Sequence, residues 1–360
     1  MKILLLCKYS RLGASSRLRT LQYLPYLEGK GLEVTVSSLF DDRYLNGLYN
    51  QRRRVVRIVV SLYLKRLVTL FGAFRYDLIW VEKEIFPYLP SFAERLLCLL
   101  GMRYVADYDD AIFHNYDLSG NPVIRKVLGK KIDVVMRNSA CVIAGNAYLA
   151  SRAKAAGARS VELVPTVVDH TRYTPRRDST TTCPVVGWIG SPSTQKYVVG
   201  IREALVKVCQ AHGARLVLVG ASPQVVSEFP GVDVEVVPWS EGSEAELISR
   251  MDIGIMPLPD GPWEKGKCGY KLIQYMACAV PVIASPVGVN VDIVTGSYSG
   301  LLAGSLAEWE NALSHLLASP KQRRVMGVAG RKAVENNYSL QVQAPILSRI
   351  FNDIIGQSRG

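Results

Sequence analysis

The chain has 360 residues, of which 49% are hydrophobic and 21% charged. This composition is typical of a globular protein, and the length exceeds what one ordinary core accommodates, so we expect two domains. The apolar run at the start is too short for a signal peptide, and no stretch approaches the roughly 20 apolar residues of a spanning helix. The seven cysteines lack CxxC spacing, which favours reduced thiols in a cytoplasmic protein that is soluble or peripheral to a membrane.

The positive charge belongs to one half of the chain. Residues 1–180 carry 28 basic and 16 acidic side chains, which accounts for the whole net charge of +12, whereas residues 181–360 carry 15 of each. A basic half beside a neutral half indicates that the first domain faces an anionic surface or ligand.

Short β-branched runs alternate with longer helical patterns along the whole chain. The runs are KILLLC, LEVTVSSL, YDLIWVE, RYVADY and ACVIAG in the first half, then VVGWIG, RLVLVG, VDVEVV, DIGIMPL and PVIAS in the second. This rhythm predicts βαβ units in two doubly wound parallel α/β sheets, with ligands at the carboxyl ends of the strands. Prolines, threonines and charges between Pro165 and Pro184 predict a linker, which gives domains of 1–170 and 183–338. The amphipathic segment 339–360 predicts a helix that can cross back to the first domain.

The stretch from Gln51 to Arg75 mixes seven basic residues with apolar ones at helical spacing. Such a helix can lie in the interface of an anionic membrane, and we favour this interpretation because the whole first half is basic. A core-packed helix with a solvated basic face is the alternative. Nucleic acid is not an expected partner, since no nucleic-acid-binding module is apparent.

Two strand-to-helix junctions have the small polar residues of an anion site. After the first strand, Gly13 and Ser15 lie in a turn where a serine is expected to cap the helix. After the strand VVGWI, Gly190, Ser191 and Thr194 precede a helix start with Lys196. The absence of GxGxxG disfavours a dinucleotide, and a phosphate at the second junction is the prediction.

The segment from Trp263 to Ser285 is the most specific in the chain. Gly266 and Gly269 frame a loop that carries Lys267, and Lys271 begins a short helix ahead of the next strand. Backbone N–H groups and two lysines at one helix start suit a diphosphate, whose charge they can stabilise. A surface loop with solvated lysines is the alternative.

The same segment resembles the signature of glycosyltransferase family 4, which reads Glu-x-Phe-Gly, four residues, then Glu-Ala-Met-Ala-x-Gly-x-Pro-Val. Gly269 falls on the family glycine, and the runs 274–277 and 281–284 fall on the blocks that follow it. Residues 164–169 are similar to the Pro-Asn-Gly-Val-Asp linker of that family. With GWIG, LVLVG and GLLA, the resemblance covers most of residues 140–340.

The resemblance implies a GT-B fold, two Rossmann-like domains facing a central cleft, in an enzyme that transfers a sugar with retention and without a metal. The first domain would take the acceptor and the second a nucleoside diphosphate sugar, by family habit a UDP-sugar. The two glutamates of the family would lie at Gly266 and Gln274, so both carboxylates are replaced here, although Glu264 is nearby. The family arginine would fall near Ser191, and its lysine partner is Lys196.

By the resemblance, Asp109 takes the place where the family commonly has a histidine near the donor sugar, and a helix-capping role is the alternative. The predicted catalytic residues are therefore Asp109, Lys271 and Lys196. The predicted donor contacts are Gly13, Ser15, Gly190, Ser191, Thr194, Trp239, Glu264, Lys267, Cys268, Gly269, Tyr270 and Gln274. Trp239 is assigned to the nucleobase, and a core tryptophan is the alternative.

The acceptor follows from charge alone. We expect a lipid-linked or glycan acceptor at the inner face of the cell membrane, in the synthesis of cell-surface polysaccharide, lipopolysaccharide or glycolipid. One rival is a metal-dependent GT-A-like transferase that uses Asp107-x-Asp109. Two others are a GT-B-shaped epimerase of nucleotide sugars and a non-catalytic anchor.

Overall fold

The computed structural model describes residues 1–41, 55–175 and 183–357. It divides into two compact units, one of Met1–Thr166 with Gln343–Gly360 and the other of Val167–Val342. Residues 176–182 of the expected linker lie outside the described residues, and so do residues 51–54 of the basic stretch.

The first unit contains, in its described residues, a six-stranded parallel sheet in the order β2-β1-β3-β4-β5-β6. Its strands are β1 (Lys2–Tyr9), β2 (Glu33–Phe40), β3 (Leu78–Glu82), β4 (Tyr104–Tyr108), β5 (Cys141–Ala144) and β6 (Val161–Leu163). Residues 3–7 of β1 are completely buried because helices cover both faces of the sheet, which is why the strand is a continuous apolar run.

The helices of this unit come between the strands and at the end of the chain. They are α1 (Ala14–Arg19), α2 (Leu24–Gly29), α3 (Val55–Phe71), α4 (Phe92–Leu99), α5 (His114–Asp117), α6 (Pro122–Leu128), α7 (Lys131–Asn138), α8 (Ala147–Ala155) and, after the second unit, α17 (Leu340–Gly356). Two 3-10 turns are Leu21–Tyr23 and Ala73–Arg75. The end of α17 is fixed here because Arg103 donates to the carbonyls of Ile354 and Gln357, while Phe351 packs edge-on against Trp80.

The second unit repeats the design with a different strand order. Its described residues form a six-stranded parallel sheet in the order β12-β11-β10-β7-β8-β9. Its strands are β7 (Val185–Ile189), β8 (Arg215–Val219), β9 (Val234–Val237), β10 (Ile253–Met256), β11 (Val282–Ala284) and β12 (Gly300–Leu302). Its helices are α9 (Lys196–Val199), α10 (Arg202–His212), α11 (Glu244–Ser249), α12 (Pro262–Lys265), α13 (Tyr270–Ala277), α14 (Val289–Ser297), α15 (Leu306–Ala318) and α16 (Pro320–Asn337), with 3-10 turns at His170–Arg172 and Pro223–Glu228.

Strand alternation separates two cores in this unit. Ile253 and Ile255 of β10 join the core that contains Trp188. Gly254 lies between them and faces the other core, where the Tyr275 ring would be 2.4 Å from an added Cβ. The sheet is therefore covered on both faces, and the prediction of two doubly wound α/β sheets is confirmed.

Each sheet has one point where the direction of the strand order reverses. In the first unit this point lies between β1 and β3, and in the second between β7 and β10. Ligands of doubly wound sheets bind at the carboxyl ends of these strands. Functional side chains are therefore expected directly after β1, β3, β4, β7 and β10.

Candidate functional site

The loop after β7 is closed by its own hydroxyl groups. Ser191 N–H donates to Thr194 Oγ1 at 3.1 Å, and Thr194 N–H donates to the Ser191 carbonyl at 2.9 Å. Glycine is required at position 190, because an added Cβ would lie 2.3 Å from the ring of Trp188. The hydroxyls assigned to phosphate therefore also build the turn.

Two side chains connect this loop to its neighbours. Gln195 Oε1 accepts from the N–H and the hydroxyl of Ser222, in the loop after β8. The Tyr197 hydroxyl donates to Oε1 of Glu264, in the short helix α12 after β10, at 2.7 Å. Lys196 Nζ lies 5.3 Å from the centroid of the Tyr197 ring. Gln195 and Tyr197 were missed by sequence reasoning because neither belongs to a phosphate motif. Three segments at the carboxyl edge are thus joined by the two side chains that flank Lys196 in the sequence.

The two lysines of the glycine loop have different surroundings. Lys271 Nζ lies 4.3 Å from the ring centroid of Trp188, and Lys267 Nζ lies 6.0 Å from that of Trp263. Gly269 begins α13 with φ of +66°, a left-handed conformation that glycine adopts without strain. Burial, and secondarily the charge of Lys267, lower the pKa of Lys271 to about 7.

Lys271 therefore has an unusual electrostatic position. In the described part of the chain no carboxylate forms an ion pair with it, and only the face of Trp188 offsets its loss of hydration. An ammonium in this position gains most from an incoming anion. The lysine was predicted from the sequence, but the indole beneath it was not, because 83 residues separate the two positions.

Buried polar atoms without a partner lie close to the same loop. Among the described residues, Trp188 Nε1 and Asn290 Oδ1 are buried and accept or donate no hydrogen bond. Asn290 donates its amide to the Ser285 carbonyl, and its Oδ1 is 3.7 Å from where a Cβ of Gly269 would be. An unsatisfied buried polar atom costs about 1–3 kcal/mol, so Asn290 Oδ1 is a candidate acceptor for a ligand hydroxyl.

Gln274 is 3% exposed and belongs to a hydrogen-bonded network. Its amide donates to the Tyr173 hydroxyl at 3.3 Å, and that hydroxyl donates to Glu244 Oε1 at 2.6 Å. The other oxygen of Glu244 accepts from the indole of Trp239 at 2.9 Å. In this arrangement Gln274 acts on Trp239 through two intervening side chains.

Trp239 lies at the carboxyl edge of the sheet, partly buried against the core. It follows β9, and an added Cβ at Gly220, which follows β8, would be 3.2 Å from the Trp239 Cβ and 2.4 Å from the Gly190 carbonyl oxygen. The three positions are therefore neighbours at the carboxyl edge. Cys268 is buried and Tyr270 packs on the core, so both flank Gly269 as structural side chains.

In the first unit, the predicted capping serine is wrong. Gly13 is the N-cap of α1 and no side chain caps the helix. Ser15 instead donates to Asp109 Oδ2 at 2.5 Å, and Ser16 donates to Glu82 Oε2 at 2.6 Å. These hydroxyls connect the carboxyl ends of β1, β3 and β4, and this use outcompetes the helix cap.

Lys83 completes this cluster and was missed by sequence reasoning. Its ammonium lies 2.8 Å from Asp109 Oδ1 and donates to Ser15 Oγ at 2.8 Å. Although burial opposes its charge, Asp109, Asp110 and Glu82 raise the pKa of Lys83, and Lys83 in turn lowers the pKa of Asp109 against the effect of burial. Both groups are charged. The φ of Lys83 is +67°, a strained conformation for a residue with a side chain, and such strain is common at functional sites.

Asp107 and Asp109 serve different partners. Asp107 forms an ion pair with Arg19 at 2.5 Å and accepts from Trp80 Nε1 at 3.2 Å. Burial raises the pKa of Asp107 to about 6, and Arg19 opposes that rise. The two carboxylates are each occupied by a separate cation, which does not favour one shared site for a divalent ion.

Known proteins resemble both the sequence and the fold. Residues 183–319 match the family model described as glycosyl transferases group 1. A D-inositol 3-phosphate glycosyltransferase of Segniliparus rotundus is 30% identical over 158 residues, which are 41% of this chain and 35% of that protein. This chain therefore spans about a third of the length of the curated relative it matches.

Several solved structures have a similar fold over nearly the whole chain, among them the following two. Sucrose-phosphate synthase from Thermosynechococcus elongatus has a TM-score of 0.77 at 17% identity, covering 99% of this chain and all of its own. Anabaena HepE, solved with UDP and glucose, has a TM-score of 0.71 at 16% identity, covering 98% of this chain and all of its own. The fold is GT-B, with two Rossmann-like α/β units, and the residues that match the glycosyl transferase family model lie within the second unit.

Proposed function

We propose that the protein is a glycosyltransferase that moves a sugar from a nucleoside diphosphate sugar to an acceptor, with retention of the anomeric configuration. The preferred donor is a UDP-sugar. The observation that carries the proposal is Lys271, a lysine over the Trp188 ring at the start of α13, inside the segment that matches the glycosyl transferase model. A lysine with a lowered pKa in such a place is suited to an anionic ligand.

The lysines would stabilise the departing diphosphate. Lys271 and Lys267, with backbone N–H groups after Gly269, would bind the phosphates, and Lys196 would approach from the loop after β7. Charge that develops on the leaving group is then neutralised by fixed ammonium groups, which is the task of a metal ion in GT-A enzymes. We propose that no metal is needed, and activity that survives in chelator is the expected result.

The nucleoside would contact the other loops of the second unit. Trp239 would border the base, Glu264 and the Asn290 oxygen would accept from hydroxyls, and Gln274 would act by orienting Trp239. At position 274 this chain has a neutral amide where the family signature has a carboxylate, and the amide does not repel the Glu244 carboxylate. The same proposal includes membership of glycosyltransferase family 4 and uracil as the base of the donor.

The first unit would supply the acceptor side. Asp109, held by Lys83 and Ser15, would accept a hydrogen bond from a sugar or acceptor hydroxyl, with Gly13 in the adjacent turn. Because Lys83 keeps Asp109 ionised, the carboxylate accepts and does not donate at neutral pH. We assign Asp109 to hydroxyl recognition.

The acceptor would be a lipid-linked sugar or a glycan at the inner face of the cell membrane. The support is the location of all the surplus positive charge in residues 1–180. Synthesis of cell-surface polysaccharide, lipopolysaccharide or glycolipid has acceptors of this kind. An epimerase of nucleotide sugars is the second candidate, and it differs in leaving the diphosphate attached to the sugar.

A thermal-shift screen with nucleotides and nucleotide sugars tests the proposal. We expect a nucleoside diphosphate or its sugar conjugate to raise the melting temperature of the wild-type protein, and Lys271→Ala to lose the shift. Lys332→Ala, an exposed lysine on α16, is the matched control and should keep it. No shift with any nucleotide, or an equal shift in Lys271→Ala, would contradict the assignment.

A further inference from the structure

Exposed apolar side chains are concentrated in the basic unit. Of the 25 large hydrophobic side chains that are exposed among the described residues, 20 belong to the first unit and five to the second. The two units have similar sizes, so surface area does not explain this difference. Isolated exposed hydrophobics are ordinary, whereas a concentration of them marks an interaction surface.

One row of these side chains runs along α3. Val60, Leu64, Val68 and Phe71 are 55%, 57%, 69% and 74% exposed, at spacings of four, four and three residues. This spacing places them on one face of the helix. The opposite face packs inward, and Arg66 is 2% exposed there, with its guanidinium donating to the carbonyls of Cys7 and Ser37.

A second row runs along α4. Phe92, Leu96, Leu99 and Leu100 are 47%, 53%, 84% and 50% exposed, again at the spacing of one helical face. The buried face of α4 carries Ala93 and Leu97, at 4% each. The helix is thus apolar on both faces, and only one of them is used by the core.

The two rows belong to neighbouring helices. The crossovers from β2 to β3 and from β3 to β4 run in the same direction across the sheet, so right-handed connections place α3 and α4 on the same face. The Phe86 ring joins them, with its centroid 5.4 Å from Tyr63 of α3 and 5.6 Å from Phe92 of α4. We call the eight side chains of the two rows the apolar face.

Cations lie beside the apolar face. Lys65 is on α3, Arg95 is on α4, and Arg75 follows α3; all three are exposed. Arg66, one of the basic residues of the predicted amphipathic helix, is a buried structural residue and does not belong to this border. The described part of the surface is apolar with a cationic border, which is the composition of a helix that lies in the membrane interface.

We propose that the apolar face of α3 and α4 inserts into the headgroup region of an anionic bilayer, with Lys65, Arg75 and Arg95 against lipid phosphates. The proposal rests on the proposed function, because it identifies the surface through which a lipid-linked acceptor is reached. No helix within the described residues is long and apolar enough to cross a membrane. Burial of apolar side chains makes this attachment less sensitive to salt than a purely ionic one.

Vesicle co-sedimentation of the full chain tests the surface. The vesicles are phosphatidylcholine with phosphatidylglycerol, and pure phosphatidylcholine for comparison, each at low and high salt. We expect binding to the anionic vesicles that persists in part at high salt, and a roughly tenfold lower partition coefficient for the double variant Leu96→Ser with Leu99→Ser. The matched control, Val325→Ser with Val328→Ser on α16, replaces side chains that are 62% and 60% exposed in the other unit and should bind as the wild type does.

The outcomes separate this surface from the sugar chemistry. Because Leu96 and Leu99 are exposed, both variants should keep the wild-type thermal shift with nucleotide sugar, which also shows that they are folded. Equal vesicle binding by the leucine variant and the wild type would overturn the proposal while leaving sugar transfer intact. The proposal would also be overturned if light scattering shows a dimer of the wild type and a monomer of the leucine variant, and neither protein binds vesicles. The face would then belong to contact with a second copy of the chain.

Discussion

The affinity for the sugar donor should depend on pH through Lys271. In the free protein, burial and Lys267 lower the pKa of Lys271 to about 7. A bound diphosphate opposes that effect and raises the pKa, so binding takes up a proton when the lysine starts neutral. The perturbation is a change of pH between 6 and 8, compared in the wild type and in Lys271→Arg.

The magnitude follows from the fraction of charged lysine. With a pKa of about 7, Lys271 is about nine-tenths protonated at pH 6 and about one-tenth protonated at pH 8. If only the charged form binds well, the dissociation constant rises about tenfold over this interval, equivalent to about 1.4 kcal/mol. The direction is fixed: affinity is highest below the pKa of the free protein and falls above it.

Titration calorimetry with an intact nucleotide sugar measures this directly, because its doubly esterified diphosphate does not titrate between pH 6 and 8. Repeating the titration in two buffers of different ionisation enthalpy counts the protons taken up. Lys271→Arg should flatten the pH dependence, since a guanidinium stays charged throughout. A dissociation constant that is constant from pH 6 to 8, or the same slope in the arginine variant, would refute the role of Lys271.

Three further predictions concern the remaining contacts. Gln274→Glu should lower the free energy of unfolding by about 2–4 kcal/mol in urea, because it buries a second carboxylate near Glu244, and adding Glu244→Gln should recover most of the loss. Lys83→Met should lower the free energy of unfolding by about 3 kcal/mol at pH 7, because it leaves the Asp109 charge buried without its cation. Near pH 4 the loss should be smaller, because the carboxylate is then protonated. An equal loss at both pH values would contradict the ion pair. Gly190→Ala should weaken donor binding and lower the melting temperature, because the new methyl group would lie 2.3 Å from an indole ring; an unchanged thermal shift would show that the loop is not part of the site.

Strands such as β3, β5 and β10 could be predicted from the sequence because each is a buried apolar run bounded by turns. The two edge strands β6 and β12 were not among the predicted runs because each is short and only partly buried, whereas β11, equally short, is a completely buried apolar run. The lysines and glycines around Gly269 are adjacent in sequence and could be predicted as one site. Trp188, Tyr197 and Asn290 belong to β7, α9 and α14, and only the tertiary structure brings them to that segment.

Side-chain partners were harder to predict than positions. Ser15 was expected to face an anionic ligand, and the sequence did not reveal that its hydroxyl donates to the Asp109 carboxylate or that Lys83, 68 residues away, donates to it. Arg66 belongs to the basic stretch for which a membrane-facing and a solvated helix were both considered, yet its side chain is buried and donates to strand carbonyls. Helical periodicity locates a face, but it does not tell which of two apolar faces the core will use.

Sugar transfer itself is tested most directly by following a labelled nucleotide sugar with the purified chain, in chelator, with membrane extract as the source of lipid-linked acceptor. The predicted result is label in a lipid- or glycan-linked product with equimolar release of nucleoside diphosphate, lost in Lys271→Ala and retained in Lys332→Ala. Release of no diphosphate from any nucleotide sugar would contradict the proposal, and an altered sugar that is still joined to its diphosphate would establish an epimerase instead.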